Sequence, residues 1–198
     1  MIPVSVIIAS IPPRKNYLAR ALSSVLNQTK NPKAILTHID FDKWGAAKSR
    51  DFLIKNCKTD YIAILDDDDQ FLPNHLEDLY NHAIEKNADL VYPGWIPERT
   101  GMVTHLDWII GKEWDNNNIH QVPITWMAKT KSILDVGGFS EGFNQDSQIL
   151  DEHGHRIGED FLMIKKLISN NKKIAHLNKR TWIWNCSASG TQGKPSNW

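Results

Sequence analysis

The run Tyr61-Ile-Ala-Ile-Leu65 passes without a break into Asp66-Asp67-Asp68-Asp69, and few folds can house such a junction. An apolar run with no polar alternation reads as a strand buried on both faces, as in a parallel sheet flanked by helices. In open sheets of that kind, ligands sit beyond the carboxyl ends of the strands. Two carboxylates about 5 Å apart repel by roughly 3 kcal/mol at an effective dielectric of 20. Four in succession therefore need a cation or ordered donors. The plain alternative is a solvated turn in which Asp69 or Asn74 caps the next helix, which explains one acid but not four. The pattern points to a divalent-metal site, and oxygen ligands favour Mg2+ or Mn2+ completed by substrate phosphates.

The surrounding pattern alternates strand and helix. Val4–Ser10 is an apolar strand; Leu18, Ala21, Leu22, Val25 and Leu26 mark one face of a helix that Asn31-Pro32 ends. Ala34–Ile39 is a second strand and Gly45–Asn56 a second helix, with Ala46, Ala47, Phe52 and Leu53 available to pack. Pro73 suits the first turn of a third helix with Leu76, Leu79, Tyr80, Ala83 and Ile84 on its apolar face, and Asp89–Tyr92 is a short strand. This order predicts an α/β fold with a mostly parallel central sheet and right-handed crossovers. Further along, Pro93–Gln121 reads as loops and short strands, Ile124–Thr130 as a strand, and Gly137-Gly138 as a helix stop. Glu159–Ser169 reads as a helix with Phe161, Ile164, Leu167 and Ile168 inside, and Lys173–Leu177 and Thr181–Trp184 as two late strands. One domain over 1–186 is expected, with a ligand-binding half (1–92), a second half (93–186) and a polar tail at 187–198.

Composition narrows the function classes. The 23 basic and 23 acidic residues cancel, so a general electrostatic grip on nucleic acid is not expected. Two cysteines, Cys57 and Cys186, make no disulfide framework. The apolar start lacks a basic n-region, and no apolar stretch approaches the ~20 residues of a membrane span. A cytoplasmic protein is the expectation.

Val4-Ser-Val-Ile-Ile-Ala-Ser10 with Leu18–Thr29, then Tyr61–Asp69 with Pro73, Val136-Gly-Gly-Phe-Ser-Glu141 and Gly158-Glu-Asp160 follow one another in that order. Together they resemble the inverting, A-type-fold (family 2-like) glycosyltransferases that use nucleotide-sugar donors. The resemblance covers roughly residues 3–185 and implies a single-domain fold of that type. It implies that the backbone at Ala9, Ser10 and Ile11 edges the nucleotide base, that Asp40 accepts from base or ribose, and that Arg50 reaches the nucleotide. Asp66 and Asp68 correspond to the Asp-x-Asp metal pair, with Asp68 the direct ligand of Mn2+ or Mg2+ and Asp67 near the ribose. Asp160 corresponds to the general base. Phe41-Asp42-Lys43-Trp44 departs from the family's usual small-residue run after Asp40. A UDP-sugar is the expected donor, and a glycan, lipid-linked glycan or other hydroxyl the expected acceptor.

Plainer readings stand beside these. Asp40 also suits a turn or cap, Arg50 a solvated helix position, and Asp160 a helix first turn, where the macrodipole favours an acid. Asp151-Glu-His153-Gly-His155 lacks the third defined ligand that zinc needs. Trp95, Trp108 and Trp114 fall in the acceptor-side stretch, where a sugar face stacks on indole; Trp95 and Glu159 are acceptor-side candidates. Two other classes fit the acids: a nucleotidyl or phosphoryl transferase, although no phosphate-binding Gly-rich loop is visible, and a non-catalytic sugar-binding module.

Overall fold

The computed structural model describes residues 1–98, 112–117, 122–140 and 158–185. Trp108, Glu141, Asp151, Glu152, His153, His155, Cys186 and the 187–198 tail lie outside the described residues.

Strands β1 (Ile2–Ser10), β2 (Pro32–Ile39), β3 (Tyr61–Ile64), β4 (Gln70–Phe71), β5 (Leu90–Pro97), β6 (Met127–Lys129) and β7 (Ile174–Trp184) form one sheet in the order β2-β1-β3-β6-β5-β7-β4. β1 runs parallel to β2 and β3, and β5 parallel to β7. β6 is antiparallel to both β3 and β5, and β4 to β7, so β1, β2, β3, β5 and β7 share one direction. The strand expected at 89–92 therefore does not sit beside β3. A short reversed strand from the second half of the chain lies between them, and the two halves share one sheet.

Helices α1 (Lys15–Leu26) and α3 (His75–Lys86) cover one face, and α2 (Ala46–Lys55), α4 (Thr130–Asp135) and α5 (Glu159–Ser169) the other. The pleat sorts side chains between two cores: Tyr61, Ala63 and Leu65 join one, Ile62 and Ile64 the other. The helix stripes are narrower than the sequence suggests. Leu18, Ala21 and Val25 are buried while Leu26 is 69% exposed, and Ile84 of α3 is 54% exposed. In α5, Met163 takes the inside position with Ile164 and Leu167, because spacings of three and four keep one face. The two late strands are one element. Its register against β5 slips between Pro93 and Gly94, beside the proline that cannot donate a ladder bond. No helix among the described residues is long and apolar enough to cross a membrane.

Candidate active site

β3 ends at Ile64, and Leu65 is held to the sheet by its N–H to Ile7 O at 3.1 Å. The next four carboxyls are thus set at the strand's carboxyl end, and each has a different partner. Asp67 is almost fully buried: Ser10 Oγ donates to its Oδ2 at 2.6 Å and Arg14 Nη1 to its Oδ1 at 2.7 Å. Arg14 Nη2 pairs with Asp68. Arg50 Nη2 donates to Asp66 Oδ1 at 2.7 Å. Asp69 accepts the Asn185 N–H at 2.9 Å, tying the turn to the end of β7. The acids do form a turn, closed by the Asp69 N–H on Asp66 O at 3.1 Å, but neither expected cap holds, since Asn74 makes no side-chain cap to α3 and Asp69 bonds to Asn185.

Arg50 joins this edge to α5. Its guanidinium is buried over the Phe139 ring, and Nη1 donates to Glu159 Oε1 at 2.8 Å. Burial opposes its charge, yet Asp66 and Glu159 together hold its proton more tightly than usual. Asp160 follows Glu159 on α5, with Oδ1 accepting the Phe161 N–H at 2.8 Å. Burial and then the Glu159 charge push the Asp160 carboxyl up, with the Phe161 N–H and Arg50 pulling the other way. The run of acids and the Glu-Asp pair, 94 positions apart between Asp66 and Asp160 (160 − 66), thus form one site.

Six carboxyls gather at this edge, Asp66, Asp67, Asp68, Asp69, Glu159 and Asp160, and Arg14 and Arg50 pair with four of them, Asp66, Asp67, Asp68 and Glu159. The surplus registers in their proton affinities. Burial pushes Asp67 up to about 6 despite Ser10 and Arg14, and burial with the Asp66 charge pushes up both Asp68 and Asp69. One carboxylate oxygen from each of Asp66, Asp68 and Asp69 lies within 4.8 Å of the others. Hard oxygens this close suit Mg2+ or Mn2+. The residues present fit a divalent ion, with Asp69 added to the expected pair.

The other expected residues fall as follows. Ala9 and Ser10 lie at the end of β1, and Ile11 opens the 3-10 turn Pro12–Arg14. Asp40 is buried, with its N–H donating to Ser10 O at 2.8 Å, and its carboxylate accepts the Trp44 N–H at 2.9 Å and the Gly45 N–H at 2.7 Å. The described contacts of Asp40 are those of a loop clasp. Trp95 packs on Trp182 and Trp184 at the margin of the α1/α3 core, and Trp114 meets Tyr92 edge-on. Their described contacts are those of packed residues.

Two residues escaped the sequence reading. Arg14 sat among Pro12-Pro13 and Lys15 with no local signal. Asp51, next to Arg50, accepts the N–H groups of Phe139 at 2.7 Å and Ser140 at 2.8 Å and pairs with the Ser140 hydroxyl. Gly138, at φ +70, is needed there: a Cβ would stand 2.4 Å from Asp51 Oδ1.

The sheet and its flanking helices match the α/β fold expected from the sequence, that of the A-type glycosyltransferases, and solved structures share it. The profile of glycosyl transferase family 2 matches residues 32–121. The chain is 22% identical over 200 residues to glycosyltransferase GlyA of Streptococcus pneumoniae, covering 86% of this chain and 29% of GlyA. Structures of S. aureus TarS 1–349 superpose with TM-scores of 0.70 alone and 0.73 in complex with UDP-GlcNAc. These are 16% and 15% identical and cover 93% and 94% of this chain against 60% and 59% of theirs. The chain thus spans under a third of GlyA and about three-fifths of the TarS fragment. The family profile and GlyA are both described as glycosyltransferases, and the TarS structures share the fold of this chain.

Proposed function

We propose that the chain carries the catalytic domain of a metal-dependent, inverting glycosyltransferase that takes a nucleotide-diphosphate sugar, a UDP-sugar first among them. The TarS structures with UDP and UDP-GlcNAc support that donor class. Asp66, Asp68 and Asp69 would hold Mn2+ or Mg2+, which when bound neutralises charge on a leaving diphosphate. The backbone at Ala9–Ile11, with Asp40, Asp67 and Arg50, is assigned to the nucleotide side. On the other side, Asp160 takes the proton of an acceptor hydroxyl. That oxygen bonds to the anomeric carbon from the face opposite the diphosphate, and the carbon–oxygen bond to the donor breaks with its electron pair leaving on the nucleoside diphosphate. One displacement inverts the carbon.

The observation that carries this reading is the Arg50 bridge, which ties Asp66 to Glu159 and so brings the start of α5, with the base candidate Asp160 next in sequence, to the acid run. Release of UDP from UDP-sugars tests it. The parent should hydrolyse or transfer in Mn2+ and stop in EDTA. Asp160→Asn should keep UDP binding and lose roughly 10²-fold or more of turnover, the usual scale of a general base. Parental turnover in Asp160→Asn would remove that residue from the chemistry.

A further inference from the structure

Arg14 stands at the end of a turn stiffened by Pro12 and Pro13, and its N–H closes the turn on Ile11 O at 3.0 Å. Tyr17 lies under the guanidinium at 5.6 Å. From that base the side chain reaches neighbouring carboxyls through different nitrogens, Nη1 to Asp67 and Nη2 to Asp68. The two acids are not equivalent. Asp67 has a second donor in Ser10 and lies outside the three-carboxylate group, whereas Asp68 is one of the three whose oxygens lie within 4.8 Å. Asp68 therefore serves one cation, the guanidinium, in the place where a divalent ion would draw on it. Two cations on one carboxylate repel, so occupancy by one weakens the other.

We propose that Arg14 is a built-in cation that holds Asp68 before the donor arrives and hands it to the metal when a diphosphate takes the guanidinium. The inference rests on the metal-binding reading above. A guanidinium fork matches phosphate oxygens as well as carboxylate. Arg14 keeps its anchor on Asp67 while Nη2 changes partner. Metal alone then competes with Arg14, and metal with diphosphate does not, so each promotes the binding of the other.

Mn2+ titrations read from the free-ion EPR signal, on the parent and on Arg14→Gln, with and without UDP, test this. Without UDP, Arg14→Gln should bind Mn2+ about tenfold more tightly, a size common for coupled sites. With saturating UDP the gain should vanish, because the parent's Arg14 has already left Asp68. Equal Mn2+ affinity without UDP would overturn the proposal while leaving the metal site standing. A gain that persists with UDP would reduce Arg14 to a through-space charge and also overturn it. Absence of Mn2+ binding in every sample would remove the metal site itself. Arg14→Lys provides a second variant if the Gln form melts early: a single ammonium cannot fork across both acids, so its Mn2+ affinity should rise above the parent's. A parental value would contradict the fork.

Discussion

Arg50 and Glu159 are 109 positions apart, and their side chains meet at 2.8 Å. The same guanidinium holds Asp66, so helix α5 is registered against the acid run through one buried side chain. Arg50→Ala leaves two acids without their cation. Breaking a fully buried pair costs about 3–5 kcal/mol; with Asp66 and Glu159 partly exposed, we expect a loss of about 2 kcal/mol. Denaturant unfolding of the two proteins in EDTA measures it. Unchanged stability with weaker donor binding would make Arg50 a nucleotide contact and not a brace.

Gly158 makes room for Asp160. A Cβ at 158 would stand 2.6 Å from Asp160 Oδ1, while the backbone there, at φ -80, suits any residue. Gly158→Ala should therefore push the carboxylate aside at little cost in stability and lower turnover, about tenfold or more for a displaced base. A melting curve and a rate on the same sample separate the two effects. A variant that melts lower yet turns over normally would place the need for glycine in the helix.

The Gly-Gly-Phe loop hangs on Asp51. Gly138→Ala combines a left-handed backbone with a collision at Asp51 Oδ1, and should cost about 2 kcal/mol or more. Asp51→Ala should cost a similar amount by stranding the Phe139 and Ser140 N–H groups. Both changes break one clasp, so the double variant should lose less than the sum. Additive losses in a double-mutant cycle would mean that the two residues act separately.

Strands and helices of the first half were legible because each buries a continuous apolar run or stripe. The position of Asp66 and Asp68 at the carboxyl end of a strand was legible because the acids directly abut the apolar run of β3. The site's wiring was not. Arg14 and Asp51 act through contacts 54 and 88 positions away, and nothing near them in sequence reports it. The insertion of β6 between β3 and β5 was hidden for a similar reason: three residues carry too little pattern to announce a partner. Leu26 and Ile84 show the opposite error, apolar residues at helical spacing that face solvent.

His75 gives the fold an acid-sensitive point outside the site. It is buried, stacked on Phe71 with centroids 3.7 Å apart, with Nδ1 2.8 Å from Thr181 Oγ1. Burial pushes it down to about 3, against an ordinary value of 6.5, with the Thr181 bond opposing in part. Between those values the unfolded chain binds the extra proton, so stability falls as pH drops through 6.5 and levels off below about 3. His75 should contribute about 2 kcal/mol less at pH 5 than at pH 7.5. Comparing the pH dependence of unfolding in the parent and His75→Gln isolates the residue. Parallel profiles would assign the acid sensitivity elsewhere.

The acids at the end of β3 are proposed to hold a metal for a nucleoside diphosphate, and calorimetry of UDP binding tests that most directly. In Mn2+ the parent should bind UDP, and EDTA should weaken the binding. Asp68→Asn should weaken it in Mn2+ by about tenfold or more, the order of a lost ligand interaction, while the melting temperature in EDTA stays near the parent's. Equal UDP affinity in parent and Asp68→Asn, with and without EDTA, would contradict the account.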